Sequence, residues 1–308
     1  MKKTSLVLST YNGAKYLVEQ LNSIRLQTKP LDEVLILDDC STDDTPHIIS
    51  NYIEEFHLDA SWRFLVNESN IGWKKNFMKG FKMVSGDIIF SSDQDDIWMV
   101  DKIEKMLDVF ESNLDITLLS CNLLPLYEEN VPHNLHPMFI RPYGKNRVEK
   151  ITPDKLFLVP IRPGCTYGFR KELLDKVLEV WYPEWAHDCA LHTVSLITDG
   201  YYNLNEPLIQ FRRHGANNSP VINRTPKGRT CQAQDSLRRL NLISVREESW
   251  NISGCNRILI EKAKEYYKAK IDFFRNRSLR GCISYLKFYR YYPDLRSLIG
   301  DYYIKFCC

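Results

Sequence analysis

Residues 33–41 read Glu-Val-Leu-Ile-Leu-Asp-Asp-Cys-Ser, a short apolar run that ends abruptly in two aspartates. The same arrangement, an apolar β-rich run followed by polar residues, recurs at 4–12 and at 87–96. The segments around these runs contain helical spacing at 14–27, 45–56 and 73–84, and a further strand candidate at 63–66. Because strands alternate with helices of about 10–15 residues, the sequence predicts an α/β fold with a mostly parallel sheet flanked by helices.

The second half of the chain is less regular. Strand patterns occur at 116–121, 166–170, 201–204 and 208–211, and helical patterns at 171–180 and 190–198. Residues 125–147 are a predicted loop, and residues 217–229, rich in Asn, Pro and Gly, are predicted to form a mobile one. From residue 232 onward the pattern is mainly helical, which predicts a helical C-terminal extension.

Composition argues against several classes of protein. The chain has 308 residues, of which 44% are hydrophobic and 26% charged, and its net charge of +2 disfavours a nucleic-acid binder or a disordered protein. No apolar run reaches the roughly 18–20 residues of a membrane span, and the start does not resemble a secretory signal. Nine cysteines without a Cys-X-X-Cys pair predict reduced thiols. We therefore expect a cytoplasmic protein that binds no nucleic acid.

Three polar clusters follow three of the predicted strands, at 9–12, 38–41 and 92–96. Ligands of open α/β sheets bind beyond the carboxyl ends of the strands, so we expect these clusters to form one site. Each cluster alone is also what an ordinary turn or helix cap would contain.

The third cluster packs Asp93, Asp95 and Asp96 into four positions. Three neighbouring carboxylates repel one another unless a cation compensates them, and oxygen ligands favour magnesium, manganese or calcium. The alternative is a solvated acidic turn, although exposed turns seldom carry an Ile-Trp pair such as 97–98. The first strand is followed by no Gly-rich dinucleotide motif, and the chain has no P-loop motif, which disfavours a dehydrogenase or a P-loop NTPase.

Short motifs occur in a fixed order at 9–12, 21–24, 27–28, 33–43, 70–72, 92–98, 185–188, 200 and 206–215. Together they resemble family 2 glycosyltransferases over roughly residues 4–219. The later motifs are most similar to those of bacterial enzymes that build capsule, O-antigen or other cell-surface polysaccharides. The resemblance implies a GT-A fold, a nucleotide-sugar donor, a divalent metal (Mn²⁺ or Mg²⁺) and an inverting transfer.

The resemblance also implies a donor site. Thr10, Tyr11, Asn12 and Asp39 would bind the nucleotide, with contacts to its base and ribose. A carboxylate beside the base suits a ring N–H donor, so a UDP- or dTDP-sugar is favoured over an adenine nucleotide.

The same resemblance assigns the carboxylate cluster to the metal and the diphosphate. Asp95 would bind the metal, with Asp93 on the ribose or a metal-bound water, and Asp96 would orient the donor sugar. His214 would complete the metal site or contact the diphosphate, and Arg212 would contact phosphate. The alternative for these last two residues is an ordinary basic strand end.

Asp188 matches the catalytic base of the family. An inverting transfer needs one group that takes the proton from the acceptor hydroxyl as it attacks the anomeric carbon. The alternative for this position is a buried ion pair between His187 and Asp188.

We predict a glycosyltransferase domain over 1–230, with a nucleotide-sugar-binding half at 1–112 and an acceptor-binding half at 113–230, followed by a helical region at 231–308. The acceptor would be a glycan or a lipid-linked oligosaccharide. Two other functions remain open. A sugar-phosphate nucleotidyltransferase should carry a Gly-rich basic loop where residues 10–14 stand, and a non-catalytic membrane-peripheral assembly subunit could keep a degenerate transferase fold.

The C-terminal region is strongly basic. Residues 257–308 contain 12 Lys and Arg against 5 Asp and Glu, a net charge of +7, together with many aromatic residues. One hypothesis is peripheral attachment to the anionic inner face of the plasma membrane, with the aromatic residues as anchors. The alternative is that these helices pack against the catalytic domain or form a homodimer.

Overall fold

The computed structural model describes residues 2–129, 131–132, 139, 142, 144–215, 225–276, 282–283, 285–292 and 295–307. The chain divides into two compact units. The first unit comprises Met1–Ile151, Pro160–Ser195 and Gly200–Asn217, and the second comprises Thr152–Val159, Leu196–Asp199 and Asn218–Cys308.

The described strands belong to one mixed sheet. They are β1 (Thr4–Thr10), β2 (Glu33–Asp38), β3 (Trp62–Val66), β4 (Ile88–Ser92), β5 (Ile97–Trp98), β6 (Leu118–Tyr127), β7 (Val148–Lys150), β8 (Tyr167–Arg170) and β9 (Tyr201–Arg213). Their order across the sheet is β3-β2-β1-β4-β8-β6-β9-β5, and β7 pairs with β9. The first four neighbours are parallel, whereas β8 is antiparallel to both β4 and β6.

The described helices of five residues or more are α1 (Leu17–Arg25), α2 (Thr45–Glu55), α3 (Trp73–Met83), α4 (Lys102–Ser112), α5 (Lys171–Val180), α6 (His187–Ile197), α7 (Pro226–Ser244), α8 (Gly254–Arg275) and α9 (Leu295–Cys307), with a 3-10 helix at Leu286–Tyr291. None of them is both long and apolar enough to cross a membrane. The predicted mostly parallel sheet with flanking helices and a helical C-terminal region is confirmed.

The central strands are the most buried part of the first unit. Residues 6–8, 34–37 and 88–90 are almost inaccessible to solvent. Such continuous apolar runs are typical of parallel strands that are covered on both faces. Because β1, β2 and β4 are adjacent and parallel, the polar residues that follow them emerge at the same edge of the sheet.

Two predicted boundaries are wrong. The strand patterns at 201–204 and 208–211 form one continuous strand, β9, which pairs with β6 through register shifts around Asn122 that accommodate Pro207. The predicted loop at 217–229 includes the start of α7, since Pro226 occupies its first turn and Thr225 caps it. The part of that loop at 217–224 lies outside the described residues.

The second unit has an aromatic core of its own. Its buried members are Tyr266, Phe273, Phe274, Tyr285, Phe288, Tyr292, Leu298 and Ile304. Six of the twelve aromatic residues at 257–308, the predicted membrane anchors, are therefore buried in this core. The eight described cysteines form no disulfide.

Candidate functional site

The loops that follow β1 and β2 are hydrogen-bonded to each other. The backbone N–H of Asn12 donates to Ser41 Oγ at 2.8 Å, and Asn12 Oδ1 accepts from the backbone N–H of Thr42 at 2.8 Å. Thr10 Oγ1 donates to Asp38 Oδ1, also at 2.8 Å. Asn12 is held at a φ of 48°, a conformation that asparagine tolerates better than most residues. The first two predicted clusters thus meet as expected from the strand order.

Asp39 organises the loop that follows β3. Its Oδ1 accepts from Asn67 Nδ2 at 2.9 Å and from the backbone N–H of Ile71 at 2.8 Å, and its Oδ2 accepts from the N–H of Gly72 at 2.8 Å. Gly72 has a φ of 84°, where a side chain would be strained. The carboxylate is nearly buried, at 2% exposure. Asp39 therefore joins the end of β2 to the loop that follows β3.

The buried side chain of Asn76, in α3, links the ends of β1 and β2 to Asn67. Asn76 donates to Ser9 Oγ at 2.8 Å and to the carbonyl of Leu37 at 2.7 Å, and its Oδ1 accepts from Asn67. Asn67 and Asn76 were not predicted as site residues. In a single sequence, nothing distinguishes an isolated Asn in a helix or after a strand from an ordinary surface residue. Its structural role is evident only from the fold, in which the side chain is buried and hydrogen-bonded.

Gln94 joins the third cluster to the first. Its Oε1 accepts from the N–H of Tyr11 at 2.8 Å, and its Nε2 donates to the carbonyl of Tyr11 at 2.9 Å. A Cβ atom at Gly13 would lie 2.2 Å from Gln94 Oε1, so glycine leaves the room that this amide needs. The middle residue of the acidic cluster is therefore a structural link that the charge pattern did not reveal.

The three carboxylates of the cluster separate into two groups. Asp95 Oδ2 lies 2.8 Å from His214 Nε2. Asp93 instead lies with Asp96 and Cys165, with one potential ligand atom from each within 4.8 Å of the others. Asp96 is fully buried, and its Oδ1 accepts from the N–H of Arg212, while no hydrogen bond reaches its Oδ2.

The close packing of these carboxylates raises the pKa values of Asp93 and Asp96. Burial, together with the charges of Asp96, Asp95 and Asp188, holds the pKa of Asp93 well above its usual value. Burial and the charge of Asp95 raise the pKa of Asp96 to about 7. The dependence of Asp93 on Asp188 shows that the predicted base lies close enough to interact electrostatically with the carboxylate cluster.

A buried cation accompanies these acids. Lys102 is fully buried, its Nζ lies 3.3 Å from the centroid of the Trp98 ring, and burial lowers its pKa to about 8. Trp98 itself belongs to β5, which pairs with β9, so the acidic cluster is not a solvated turn. Lys102 was not predicted from the sequence, because its position at the start of α4 looks like an exposed helix residue.

Arg212 holds the loop to β9. Its Nε donates to the carbonyl of Asp95 at 2.8 Å, its Nη2 pairs with Glu19, and its guanidinium lies 4.9 Å from the centroid of the Tyr16 ring. Only 9% of Arg212 is exposed. Tyr16 also contacts the ring of His214, with 4.7 Å between centroids. Both predicted basic residues are thus brought to the acidic cluster.

Asp188 lies in the first turn of α6. Its Oδ1 accepts from the N–H of Cys189 at 2.7 Å. The 3-10 turn at Gly164–Thr166 passes beside it, and a Cβ atom at Gly164 would lie 3.0 Å from Asp188 Cβ. The side chain of Asp188 thus lies at the N-terminus of α6, beside this turn.

The neighbouring His187 is not an ion-pair partner. It is 4% exposed, packs on Phe77 at a centroid distance of 4.0 Å and lies near Trp73 and Phe81, and neither ring nitrogen has a hydrogen bond. Burial lowers its pKa to about 4, so the ring is neutral at physiological pH. The alternative of a buried His187–Asp188 pair is therefore wrong.

Comparison with known sequences identifies relatives of this chain. The family model described as glycosyl transferase family 2 matches residues 5–178, more than half of the chain. The dTDP-rhamnosyl transferase RfbG of Shigella flexneri is 32% identical over 231 residues, which cover 68% of this chain and 72% of that protein. The matched region covers a smaller share of the length of other curated relatives: 66% of an uncharacterized glycosyltransferase of Nostoc and 17% of TarS of Staphylococcus aureus.

Two solved structures resemble the fold. Staphylococcus aureus TarS 1–349 in complex with UDP-GlcNAc has a TM-score of 0.59 at 17% identity, covering 88% of this chain and 82% of that one. The mannosyltransferase PcManGT from Pyrobaculum calidifontis, in complex with GDP-Man and Mn²⁺, has a TM-score of 0.54 at 17% identity, covering 98% and 85%. Both likenesses support the GT-A architecture expected from the sequence.

Proposed function

The chain belongs to glycosyl transferase family 2, and from that premise we propose that it moves a sugar from a UDP- or dTDP-sugar to a hydroxyl of a glycan or lipid-linked acceptor, with inversion and with a divalent metal. The observation that carries the proposal is the convergence, at one edge of the sheet, of the loops that follow β1 and β2 with the carboxylate cluster, while the charge of Asp188 lies near enough to raise the pKa of Asp93.

The donor nucleotide would bind over the ends of β1 and β2. We propose Thr10, Tyr11, Asn12 and Asp39 as its partners. Asp39 accepts three hydrogen bonds from protein N–H groups, and its Oδ2 accepts only one of them, so a lone pair remains there for a ring N–H. RfbG is a dTDP-rhamnosyl transferase and the TarS structure holds UDP-GlcNAc, which supports a pyrimidine nucleotide that carries such an N–H.

The donor set fits Mg²⁺ or Mn²⁺. Carboxylate oxygens and one imidazole are ligands that these ions accept, and the buried Oδ2 of Asp96 lacks a partner. We propose that Asp95, His214 and Asp93 hold the ion and that Asp96 orients the donor sugar. When bound, the ion would supply positive charge to the departing diphosphate. The Mn²⁺ in the mannosyltransferase structure supports this choice of cofactor.

The protein groups account for the rest of the reaction. We propose that Asp188 takes the proton from the acceptor hydroxyl as its oxygen bonds to the anomeric carbon and the nucleoside diphosphate leaves. The N–H of Cys189 donates to Oδ1, which leaves Oδ2 for the proton. We propose that Arg212 acts mainly by fixing the backbone of Asp95 and that its guanidinium also contacts phosphate.

Helix α9 in the C-terminal region suggests the cellular location at which the enzyme binds its acceptor. Helix α9 exposes Leu295, Ile299, Tyr303 and Phe306, each at least 62% accessible. Their spacing of four, four and three residues places them on one face of the helix. We propose that this face, within a segment of net charge +7, attaches the enzyme to the anionic inner leaflet, where lipid-linked acceptors lie. A homodimer through the same face is the competing outcome.

The test is a panel of UDP-, dTDP- and GDP-sugars incubated with the enzyme and MnCl₂, with release of nucleoside diphosphate as the readout. We expect turnover with one or more pyrimidine sugars and its loss in EDTA. A nucleotidyltransferase would instead consume a nucleoside triphosphate and a sugar 1-phosphate and release pyrophosphate. That result, or the absence of turnover with every donor, would overturn the proposal.

A further inference from the structure

The second unit contains a cavity of about 720 Å³ that plays no part in the transfer site. Helices α7, α8 and α9 contribute to its wall, together with the segment at 155–159. Its polar lining includes five cations, namely Lys155, Arg229, Arg239, Lys270 and Arg296. Four tyrosines, Tyr266, Tyr267, Tyr291 and Tyr292, line it as well.

The charges around this cavity do not balance. Among the described lining residues the carboxylate is that of Asp235, which pairs with Arg239. A second carboxylate, Asp301, is buried behind the lining and contacts two more of the cations. Five positive and two negative groups leave a local charge of about +3 in a partly enclosed space.

Three of the five cations, Arg229, Arg239 and Lys270, are held in place by carboxylates of the protein. Asp301 is 1% exposed, its Oδ2 lies 2.8 Å from Lys270 Nζ, and its Oδ1 lies 3.5 Å from Arg229 Nε. The hydroxyl of Tyr292 donates to the same carboxylate. The rings of Tyr266 and Tyr291 are stacked, with 4.7 Å between centroids. A site whose charged groups are fixed in advance loses less entropy when a ligand binds.

We propose that this cavity binds a phosphate ester with about two to three negative charges, such as an organic diphosphate. Guanidinium groups match the oxygens of a phosphate in pairs, and an ammonium group and tyrosine hydroxyls add single donors. A carboxylated glycan is a poorer match, because its charges are spread over successive sugars whereas these cations surround one space. A diphosphate concentrates the same charge on two adjacent phosphorus atoms.

The experiment is a calorimetric titration with inorganic pyrophosphate, in EDTA and at low salt, so that a metal-dependent donor site stays silent. The test variant is Lys155→Gln with Arg296→Gln, both at exposed positions of the cavity rim. The matched control is Lys262→Gln with Lys268→Gln, which removes the same charge from exposed positions of α8 outside the cavity.

Wild type and the control should bind pyrophosphate with similar Kd, and the rim variant should bind about 10–100-fold more weakly, since each lost charge-assisted hydrogen bond costs about tenfold. Equal binding by all three proteins, or no binding by wild type, would overturn the proposal. A second titration, with farnesyl diphosphate, distinguishes two possible sources of the natural ligand. If farnesyl diphosphate binds more tightly than pyrophosphate, the ligand is a lipid carrier, and if the two bind equally, it is a soluble phosphate ester.

This inference stands apart from the proposed transfer reaction, because the titration requires no turnover. An Arg212→Gln variant, which alters the residue proposed to contact phosphate in the donor site, should weaken UDP binding in MnCl₂ and keep pyrophosphate binding in EDTA. If Arg212→Gln abolished pyrophosphate binding as well, the anion would be bound at the donor site, and the cavity would not be its site.

Discussion

His214 Nε2 lies 2.8 Å from Asp95 Oδ2, although 119 positions separate the two residues in the chain. The contact joins the end of β9 to the loop after β4, and Arg212 secures it by donating to the carbonyl of Asp95. In the proposed metal site, this imidazole and this carboxylate would offer one nitrogen and one oxygen to the cation.

Replacement of Asp95 with alanine should abolish metal-dependent transfer. Metal stabilisation of the leaving diphosphate is worth several kcal/mol, so we expect a loss of roughly a thousandfold or more in kcat/KM. Nucleoside diphosphate release with MnCl₂ measures it, and circular dichroism melting checks the fold. The matched control, Asp101→Asn, removes a partly exposed carboxylate that pairs with Lys105. Near-normal activity of Asp95→Ala would show that the metal is held elsewhere.

Replacement of Asp188 with asparagine should act on the chemical step alone. The amide keeps the size of the side chain and cannot accept the acceptor proton, so kcat should fall roughly 10²–10⁴-fold. The Kd for the donor, measured by calorimetry, should stay within about twofold. Glu184→Gln, at an exposed position just before α6, is the control. A variant that binds the donor poorly but transfers normally at saturation would make Asp188 a binding residue.

Metal binding should strengthen as pH rises through 7. The pKa of Asp96 is raised to about 7, so its carboxyl is largely protonated at pH 6 and ionised at pH 8. Asp96 lies beside the proposed ligand Asp93, whose pKa is raised as well, so a cation held by Asp93 competes with the proton that these two carboxylates bind. Its Kd should therefore fall by up to about tenfold per pH unit below the pKa. Mn²⁺ titrations at pH 6, 7 and 8 measure the slope. The slope should flatten in Asp96→Asn, and an equally steep slope in that variant would contradict the assignment.

The sequence reveals the strands and the edge at which the site lies because both depend on local patterns. The centres of these strands, at 6–8, 34–37 and 88–90, are apolar, and parallel strands bring their carboxyl ends together without further information. The positions of Asp39, Asp95 and Asp188 follow from motif order and could be predicted as candidates.

The supporting contacts could not be predicted, since they depend on tertiary structure. Cys165 reaches Asp93 and Asp96 from a turn about 70 positions away, and nothing in its local sequence marks it. From the sequence, Gln94 has no evident role other than to separate Asp93 from Asp95. Its two hydrogen bonds to the backbone of Tyr11 are evident only in the structure. The continuity of β9 was missed because Pro207 interrupts the apolar pattern, and only pairing with β6 shows that the strand continues.

His187 should make stability sensitive to acid. Its folded pKa of about 4 lies below the usual 6.5, so the unfolded chain takes up a proton that the folded protein does not, and this contribution to stability is lost as pH falls from 6.5 toward 4. The full loss is about 3 kcal/mol. We expect His187→Leu, of similar volume, to lose less stability than wild type between pH 7 and pH 4.5. Urea unfolding at both pH values measures the difference.

The quantity compared is the change in the free energy of unfolding with pH. The other titratable groups are the same in wild type and in His187→Leu, so their contributions cancel in this comparison. Any constant packing cost of the leucine cancels, and only the pH dependence is read. His47→Leu, at an exposed position of α2, is the control and should follow the slope of wild type. If His187→Leu also followed the wild-type slope, the imidazole would be protonated in the folded state, and the neutral assignment would be wrong.

Membrane attachment should depend on the exposed face of α9. Six tail aromatics are buried in the core of the second unit, and Lys270 pairs with Asp301, so neutralising tail cations at random would damage the fold rather than test docking. The sharper variant is Ile299→Ser with Phe306→Ser. Both residues are more than 60% exposed, and burying such side chains contributes up to about 1.5–3 kcal/mol each.

We expect this variant to partition at least about tenfold more weakly onto vesicles that contain anionic lipid, with binding of wild type weakened further by salt. The matched control is Val245→Ser with Ile258→Ser, two exposed apolar residues of the same unit that lie outside α9. Co-sedimentation gives the partition, and light scattering after size exclusion gives the mass in solution. If the variant converts a dimer to a monomer while vesicle binding stays the same, the face joins two copies of the chain and does not bind lipid.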